Sequence, residues 1–509
     1  MLNKIMRQTA NLKILSISLV IFLASLSGCK SNLLGGQDAP LQTQLQQPQA
    51  PPAPIVVDGM RTSYADVVGK SSPAVVMIRS ERKAKAISQQ FPFGDDPQFR
   101  EFFKNLPQQP NGGQRPQIER GVGSGVIVSQ DGTVLTNHHV VDGAEKIIVQ
   151  MNDNRTFEAK IVGSDPPSDL AVLKMETENL PYLNLGNSDN VRIGDIVLAI
   201  GNPLGIGQTV TAGIISAKGR RTGLSDGSFE DFLQTDAPIN RGNSGGALVS
   251  LNGELIGINS QILSDSGNGG NIGIGFSIPS NMAKSVMEQL LKDGKVHRGM
   301  LGVNIQNITE ETAKALDLKD TRGVLVSNVR TGSAAEKAGV KRGDIILAIN
   351  GDTIEDSNVL RNKVAATQPG SEIKLTVSRD GTEREFTAKL DEFEVEGVKP
   401  SDKRDEEKDS EKSNENGKLG LSLQPLTPEI AKQLNITADT EGLVVTEVDP
   451  NGAAAEAGLN RGDVIMEINK KSVTTIEDVQ SALESSGDKP VLLLISRKGQ
   501  TIYLTVKPN

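Results

Sequence analysis

From about Ser63 to His297 the apolar residues come in short, β-branched runs: "AVVMIRS", "GSGVIVSQDGTVLTN", "KIIVQMND", "RTFEAKIVGSD", "DLAVLKM", "DIVLAIGNP", "GELIGINSQIL" and "GIGFSIP". Gly, Asn and Asp punctuate them. Short runs with such turn residues between them predict many short strands, built into a β-barrel or a sandwich. The pattern turns helical in "SNMAKSVMEQLLKDGK" (280–295), with Ser280 or Asn281 as N-cap and Gly294 as the stop. An insert over 83–117 breaks the strand pattern and holds Phe91, Phe93, Phe99, Phe102 and Phe103. It reads either as a mobile surface loop or, because aromatics cluster on it, as a contact site or lid.

Beyond His297 the chain repeats itself. "RGVLVSNVRTGSAAEKAGVKRGDIILAING" matches "EGLVVTEVDPNGAAAEAGLNRGDVIMEINK", with Gly323 and Gly442, Ala338 and Ala457, and Asp344 and Asp463 at a constant spacing of 119 residues. A similar strand precedes each copy, "LGVNI" and "LGLSL". Two copies are too few for a solenoid, so they predict two separate small domains, over 298–393 and 418–509. The charged run over 394–417 between them reads as a solvated linker. The Gln/Pro-rich stretch over 30–58 reads as an extended tether.

Length and composition refine this picture. A chain of 509 residues suggests about three or four domains. Its 52 glycines favour short strands and tight turns over long helices. A net charge of −9 argues against a nucleic-acid surface. At the N-terminus Lys4, Arg7 and Lys13 precede the apolar run Ile14–Leu26, which is too short to span a bilayer comfortably and reads as an export signal over 1–29. It ends in Leu26-Ser27-Gly28-Cys29, which looks like a bacterial lipobox, with Cys29 as the lipidated first residue of the mature protein. The rival readings are a plain cleaved signal and an uncleaved anchor. Cys29 is the only cysteine, so no disulfide can form within the chain.

The candidate chemistry starts at Ser244, in "NRGNSGGALV". A serine among glycines is a weak signal alone, but a nucleophilic serine needs a base, and the base needs an orienting acid. The chain has three histidines. His297 lies at the end of the barrel region, which leaves the adjacent pair His138 and His139 in "TNHHVV". On an extended strand two neighbours face opposite ways, so they are not expected to share a task. Asp169, at the head of the apolar strand in "SDLAVLK", is the acid candidate, giving the chain order His, Asp, Ser. A zinc site on the histidine pair is disfavoured, since there is no H-E-x-x-H motif. No P-loop occurs, so no nucleotide or other cofactor is expected.

The segments "TNHHVV", "SDLAVLK" and "GNSGGAL", in this order and followed by two repeats, resemble the HtrA/Deg serine proteases, and within them the DegP/DegQ type with two PDZ domains. The likeness spans the chain beyond the tether. It implies a mainly β architecture: a chymotrypsin-like double β-barrel over 59–297, then two PDZ domains, each a small β-sandwich with helices. In the wider trypsin-like clan the catalytic histidine stands three residues after a threonine. Thr136 therefore places the base at His139, with His138 as a structural or surface neighbour.

The backbone N–H groups of Gly242, Asn243 and Ser244 are candidates for the oxyanion hole. By analogy Ile239 lines the specificity pocket, which would suit medium aliphatic side chains. Asp236 lies earlier than the clan's pocket position. In the first PDZ copy, backbone N–H groups around Leu301, Gly302 and Val303 are expected to hold the carboxylate of a hydrophobic C-terminal peptide, with Arg298 assisting. Leu419, Gly420 and Leu421 are the counterparts in the second copy, where a plain strand start is an equal reading. The resemblance further implies an ATP-independent periplasmic endopeptidase of protein quality control, with unfolded polypeptides as substrates, some chaperone activity, and homotrimers or multiples of them. The lipobox departs from the usual soluble members and implies a membrane-held protein. The rival functions are a PDZ scaffold with a silent protease domain, and a regulatory protease with one narrow target.

Overall fold

A computed structural model describes residues 56–57, 60–83, 118–202, 207–222, 229–240, 242–264, 271–393, 419–434, 436, 440–487 and 489–507. The export signal with Cys29, most of the tether, most of the aromatic insert and the charged linker lie outside the described residues.

The region over 75–279 forms two closed antiparallel barrels of six strands. The first is built from β1 (Val75–Lys83), β2 (Ile118–Ile127), β3 (Thr133–Thr136), β4 (Lys146–Gln150), β5 (Thr156–Asp165) and β6 (Leu170–Met175). They close in the order β1-β2-β3-β6-β5-β4. The second uses β7 (Ile196–Gly201), β8 (Thr209–Arg220), β9 (Phe232–Thr235), β10 (Ala247–Ser250), β11 (Leu255–Ser264) and β12 (Asn271–Pro279). Its order is β8-β9-β12-β11-β10-β7. Closure leaves no strand edge unpaired, which suits short strands with many turns. Val75, Val76, Ile78, Val134, Leu135, Leu170 and Leu173 fill the first barrel without any exposure.

Two helices matter for the site. α1 (His138–Val141) follows β3 directly, with Asn137 as its N-cap in extended conformation. α2 (Ser280–Asp293) ends on Gly294 in the left-handed region, as expected for a glycine stop. Its N-cap is Pro279, one residue before the predicted start. α2 packs back on the first barrel at Gly163, where a Cβ would come within 2.9 Å of the Gly294 carbonyl.

The repeats fold as two sheets of the same topology. In the first, β13 (Val303–Asn307), β14 (Val324–Val329), β15 (Ile345–Ile349), β16 (Glu372–Arg379) and β17 (Thr382–Lys389) lie in that order. In the second, β18 (Leu421–Pro425), β19 (Leu443–Val448), β20 (Val464–Ile468), β21 (Val491–Arg497) and β22 (Gln500–Val506) do the same. The repeated Asp344 and Asp463 are almost fully buried. Each is gripped from two sides by an arginine, Arg379 at 2.7 Å on both oxygens and Arg497 at 2.8 and 2.7 Å. The same arginines donate to the carbonyls of Gly339 and Gly458, which follow the preceding short helices. The motif "RGD" in both copies thus buys a buried charge pair that pins a turn to the last hairpin.

The two sheets also meet. Ile308, Ala313, Leu325 and Ile345 of the first share one core with Leu492, Leu494 and Tyr503 of the second. Gln306 closes the contact with a reciprocal pair, donating to the Tyr503 carbonyl at 3.0 Å and accepting from its N–H at 2.8 Å. Burial and the nearby Glu467 push the Tyr503 phenol up to about 12.

Breaking one partner of a buried ion pair costs about 3–5 kcal/mol, because the other charge is stranded. Asp344→Ala should therefore lower the unfolding midpoint of the first repeat domain by several degrees in scanning calorimetry of the whole chain, while leaving the transition of the double-barrel domain in place.

Candidate active site

The cleft lies where the barrels face each other. β3 ends at Thr136, and the chain turns at once into α1, so His138 and His139 stand on a helical turn rather than on an extended strand. The expected extended strand is therefore absent at the pair, and neighbours on a helix diverge by about 100°, so the two rings still point apart. The His138 ring lies 3.3 Å from Ser164 Oγ and 3.7 Å from Asp142, on the first barrel. His139 turns to Asp169, with Nδ1 at 2.9 Å from both carboxylate oxygens.

Asp169 is placed by local backbone geometry. The buried Asp165 carboxylate caps a short 3₁₀ turn, Pro166–Ser168, by accepting from the Ser168 N–H and hydroxyl. Asp169 ends that turn in the left-handed region, φ 53°, an uncommon conformation for a residue other than glycine. There its carboxylate accepts the His139 backbone N–H at 3.1 Å and the Ser260 hydroxyl at 2.9 Å. Its carbonyl accepts from the His138 N–H and from Asn137 Nδ2. Burial alone would raise the carboxyl of Asp169, but the His139 charge and these hydrogen bonds outweigh it and hold the carboxyl below its ordinary value.

Ser244 comes from the second barrel, in the loop before β10. It lines one narrow cavity with His139, Val140, Ser80, Arg82, Gly121 and Val122. The loop is tied to the first barrel through Ser124. The Ser124 N–H donates to the Ser244 carbonyl at 2.8 Å and its hydroxyl to the Gly242 carbonyl at 2.6 Å. Gly245, at φ +82°, lies so close to the Ser124 carbonyl that no side chain could fit. Ser124 and Ser260 were missed in the sequence. Ser124 carried a signal, its glycine neighbours in "GSG"; Ser260 carried none.

Other expected residues fall in different places. Gly242 and Ser244 keep backbone N–H groups with no partner among the described residues. The N–H of Asn243, by contrast, is taken by the Asn240 carbonyl at 3.0 Å, which removes it from the expected set of oxyanion donors. Ile239 is buried in the core of the second barrel and packs under Gly275 of β12. Asp236 accepts the Ile214 N–H at 2.7 Å, so its carboxylate is spent on backbone.

Arg298 is the clearest departure from expectation. It is buried and turned into the protease domain, donating to both oxygens of Asp165 at 2.8 and 2.5 Å, with its guanidinium 4.7 Å from the centre of the Phe229 ring. Phe229 in turn meets Phe393 edge to face. Arg298 therefore joins domains instead of facing a peptide carboxylate. The loops of the two repeats match each other. Leu301 and Gly302 direct their carbonyls to the N–H groups of Ala335 and Arg330, and Leu419 and Gly420 theirs to Ala454 and Asp449. Gly302 and Gly420 both have positive φ, 78° and 72°. Val303 opens β13.

Two six-stranded barrels with an Asp–His pair and a serine in the cleft between them define a chymotrypsin-type serine protease, here followed by two PDZ domains. The model of the trypsin-like peptidase domain matches residues 123–258, and PDZ domain models match 299–390 and 444–497. A probable periplasmic DegP-like serine endoprotease of Chlamydia pneumoniae is 40% identical over 466 residues, 90% of this chain and 92% of its own. A probable periplasmic serine protease, do/HhoA-like, of Haemophilus influenzae is 43% identical over 453 residues, 88% of this chain and 92% of its own. Among solved structures, the HtrA-type protease AlgW with a tripeptide superposes with a TM-score of 0.54 at 43% identity, covering 66% of this chain and 98% of its own. The chain belongs to the HtrA family of DegP-like periplasmic serine endoproteases. It is an endopeptidase that works on exported proteins.

A carboxyl held below its ordinary value stays charged as the pH falls past that value, and what its charge contributes is lost only on passing its own lower midpoint. The ¹³C resonance of the Asp169 carboxyl should therefore titrate with a midpoint below about 4. A midpoint above that would mean that the bonds from His139 and Ser260 do not hold the ionised form.

Proposed function

We propose that His139, Asp169 and Ser244 are the working triad and that the enzyme degrades unfolded or misfolded exported polypeptides without nucleotide. The observation that carries the reading is the 2.9 Å contact of His139 Nδ1 with Asp169 in a cleft that also holds Ser244. Asp169 fixes the proton on Nδ1, which leaves Nε2 to take the Ser244 proton as Oγ attacks a peptide carbonyl. The imidazolium so formed rests against the ionised carboxylate. The oxyanion would take the N–H groups of Gly242 and Ser244, each worth about 3 kcal/mol. His139 then protonates the leaving amine, and water repeats the sequence on the acyl-enzyme. Asp236, its carboxylate engaged by the Ile214 N–H, leaves no charge for a basic side chain, which supports a preference for aliphatic ones.

The PDZ domains would capture hydrophobic C-terminal peptides on the backbone at Leu301–Val303, with the like-shaped loop at Leu419–Leu421 as a second site. Bound ends add charge-assisted hydrogen bonds that an amidated peptide cannot make. The protein would assemble as a trimer or multiples of it, have some chaperone activity, and be held to a membrane by a lipid on Cys29.

Digestion of an unfolded model protein with product-end sequencing tests the triad. Ser244→Ala should abolish cleavage. His139→Ala should lower turnover by about four orders of magnitude or more, whereas His138→Ala should keep most of it. Equal losses in two folded histidine variants would sink the assignment.

The anchor has its own test. The mature protein should carry acyl chains on Cys29 by mass spectrometry and sediment with membranes, and Cys29→Ser should shift it to the soluble periplasmic fraction. An unmodified N-terminus at another residue would exclude the lipoprotein reading.

A further inference from the structure

The oxyanion donors are backbone groups, and one of them sits on a glycine. Gly242 has φ 93°, and glycine takes positive and negative φ about equally well. Its intrinsic preference therefore does not fix the direction of its N–H. Its contacts have to.

The hydrogen bonds of the loop single out Ser124 of β2. The Asn243 carbonyl accepts from the Gly246 N–H at 2.9 Å, and the Gly245 N–H donates to the Asn259 carbonyl at 2.7 Å, both within the second barrel. The carbonyls of Gly242 and Ser244, the two residues whose N–H groups are the oxyanion candidates, turn to the first barrel instead. The Ser124 hydroxyl holds the Gly242 carbonyl at 2.6 Å, and the Ser124 N–H holds the Ser244 carbonyl at 2.8 Å. The peptide between Gly242 and Asn243 is thus fixed at both ends, since its N–H donates to the Asn240 carbonyl at 3.0 Å.

The hydroxyl has no rotational freedom left. It accepts the N–H of Asn202, just beyond the end of β7, at 2.8 Å, and its single proton goes to Gly242. The Ser124 carbonyl accepts from Thr136 Oγ1 at 2.7 Å, on the strand that leads into α1 and His139. Ser124 has no exposure and Gly242 is buried, so these bonds are made inside the protein. One residue of the first barrel therefore touches the loop of the nucleophile, the end of β7 and the strand of the base.

We infer that Ser124 is a positioning residue for the oxyanion hole: its hydroxyl, through the Gly242 carbonyl, holds Gly242 in the conformation that turns its N–H to the substrate. The inference rests on Ser244 as nucleophile and on the Gly242 and Ser244 N–H groups as oxyanion donors. Loss of the hydroxyl leaves the Ser124 N–H on the Ser244 carbonyl. The nucleophile keeps its seat, while Gly242 is released to the other half of its φ range.

The test compares the full-length wild type with Ser124→Ala. The substrate is a quenched fluorogenic peptide spanning a cut mapped in an unfolded model protein. Two inhibitors carry the residues before that cut. One ends in an aldehyde, to whose carbon Ser244 Oγ adds, so that its oxygen enters the oxyanion hole while His139 takes the proton. The other ends in the matching alcohol, which forms no such adduct. Deleting one oxyanion donor lowers kcat by about 10²–10³, and here the donor is loosened rather than deleted, so kcat should fall about 10- to 100-fold with KM nearly unchanged. The aldehyde should lose affinity by a like factor, and the alcohol should not. The acid limb of the kcat profile should stay at its wild-type pH, because His139 and Asp169 are untouched. Ser124→Cys, whose thiol donates weakly, should fall between the two, and it carries the test if Ser124→Ala fails to fold. An unchanged kcat in a folded variant, or equal losses for aldehyde and alcohol, overturns the inference. A wild type that binds the aldehyde no tighter than the alcohol would overturn the oxyanion reading itself, and cleavage by Ser244→Ala the triad, so the failures are distinct.

Discussion

A buried carboxylate has to be neutralised where it lies, and at Asp165 this requirement ties three parts of the chain together. Arg298, from the start of the first PDZ domain, supplies two charge-assisted bonds. Ser168 supplies a backbone and a hydroxyl donor, and so winds the 3₁₀ turn. The turn delivers Asp169 in a left-handed conformation from which it reaches both His139 and, across the barrel interface, Ser260. Loss of Arg298 would leave a charge buried without its main partner, at a cost of several kcal/mol. The segment that would bear that cost carries the catalytic acid candidate. Domain docking and the order of the cleft therefore draw on the same six residues, Asp165, Ser168, Asp169, His139, Ser260 and Arg298.

The two PDZ domains show how one topology serves two surfaces. Ile345 pairs with Ser378 in the first and Val464 with Ser496 in the second, which makes Lys374 and Thr376 the counterparts of Leu492 and Leu494. Across the hairpin, Glu385 opposes Thr376 as Tyr503 opposes Leu494. The inner faces are alike and fill the two cores. The outer face is polar in the first domain and apolar in the second, because the second lays it on the first.

The strands, the α2 helix and the repeats were legible because each rests on a local rule: turn residues between apolar runs, a glycine stop, a constant spacing. Asp169 and Ser244 were legible for the same reason, each standing beside a recognisable strand or glycine cluster. Partners that meet only through the closing of two barrels were not. Ser260 lies far from Asp169 in the chain, and Arg298 gave no sign that it would turn toward Asp165. The docking of the second PDZ domain did leave a mark. "VLLLIS" is apolar without alternation, the pattern of a strand covered on both faces, whereas "EIKLTVS" alternates.

That unbroken apolar strand bears on the order of events in the life of the chain. Synthesis proceeds from the N-terminus, and domains generally fold as units in that direction. The face around Ile308, Leu325 and Ile345 is thus complete before Leu492, Leu494 and Tyr503 emerge to cover it. The chain makes its receiving surface first and its adhesive hairpin last, so the hairpin finds its own partner beside it before it can find a stranger's.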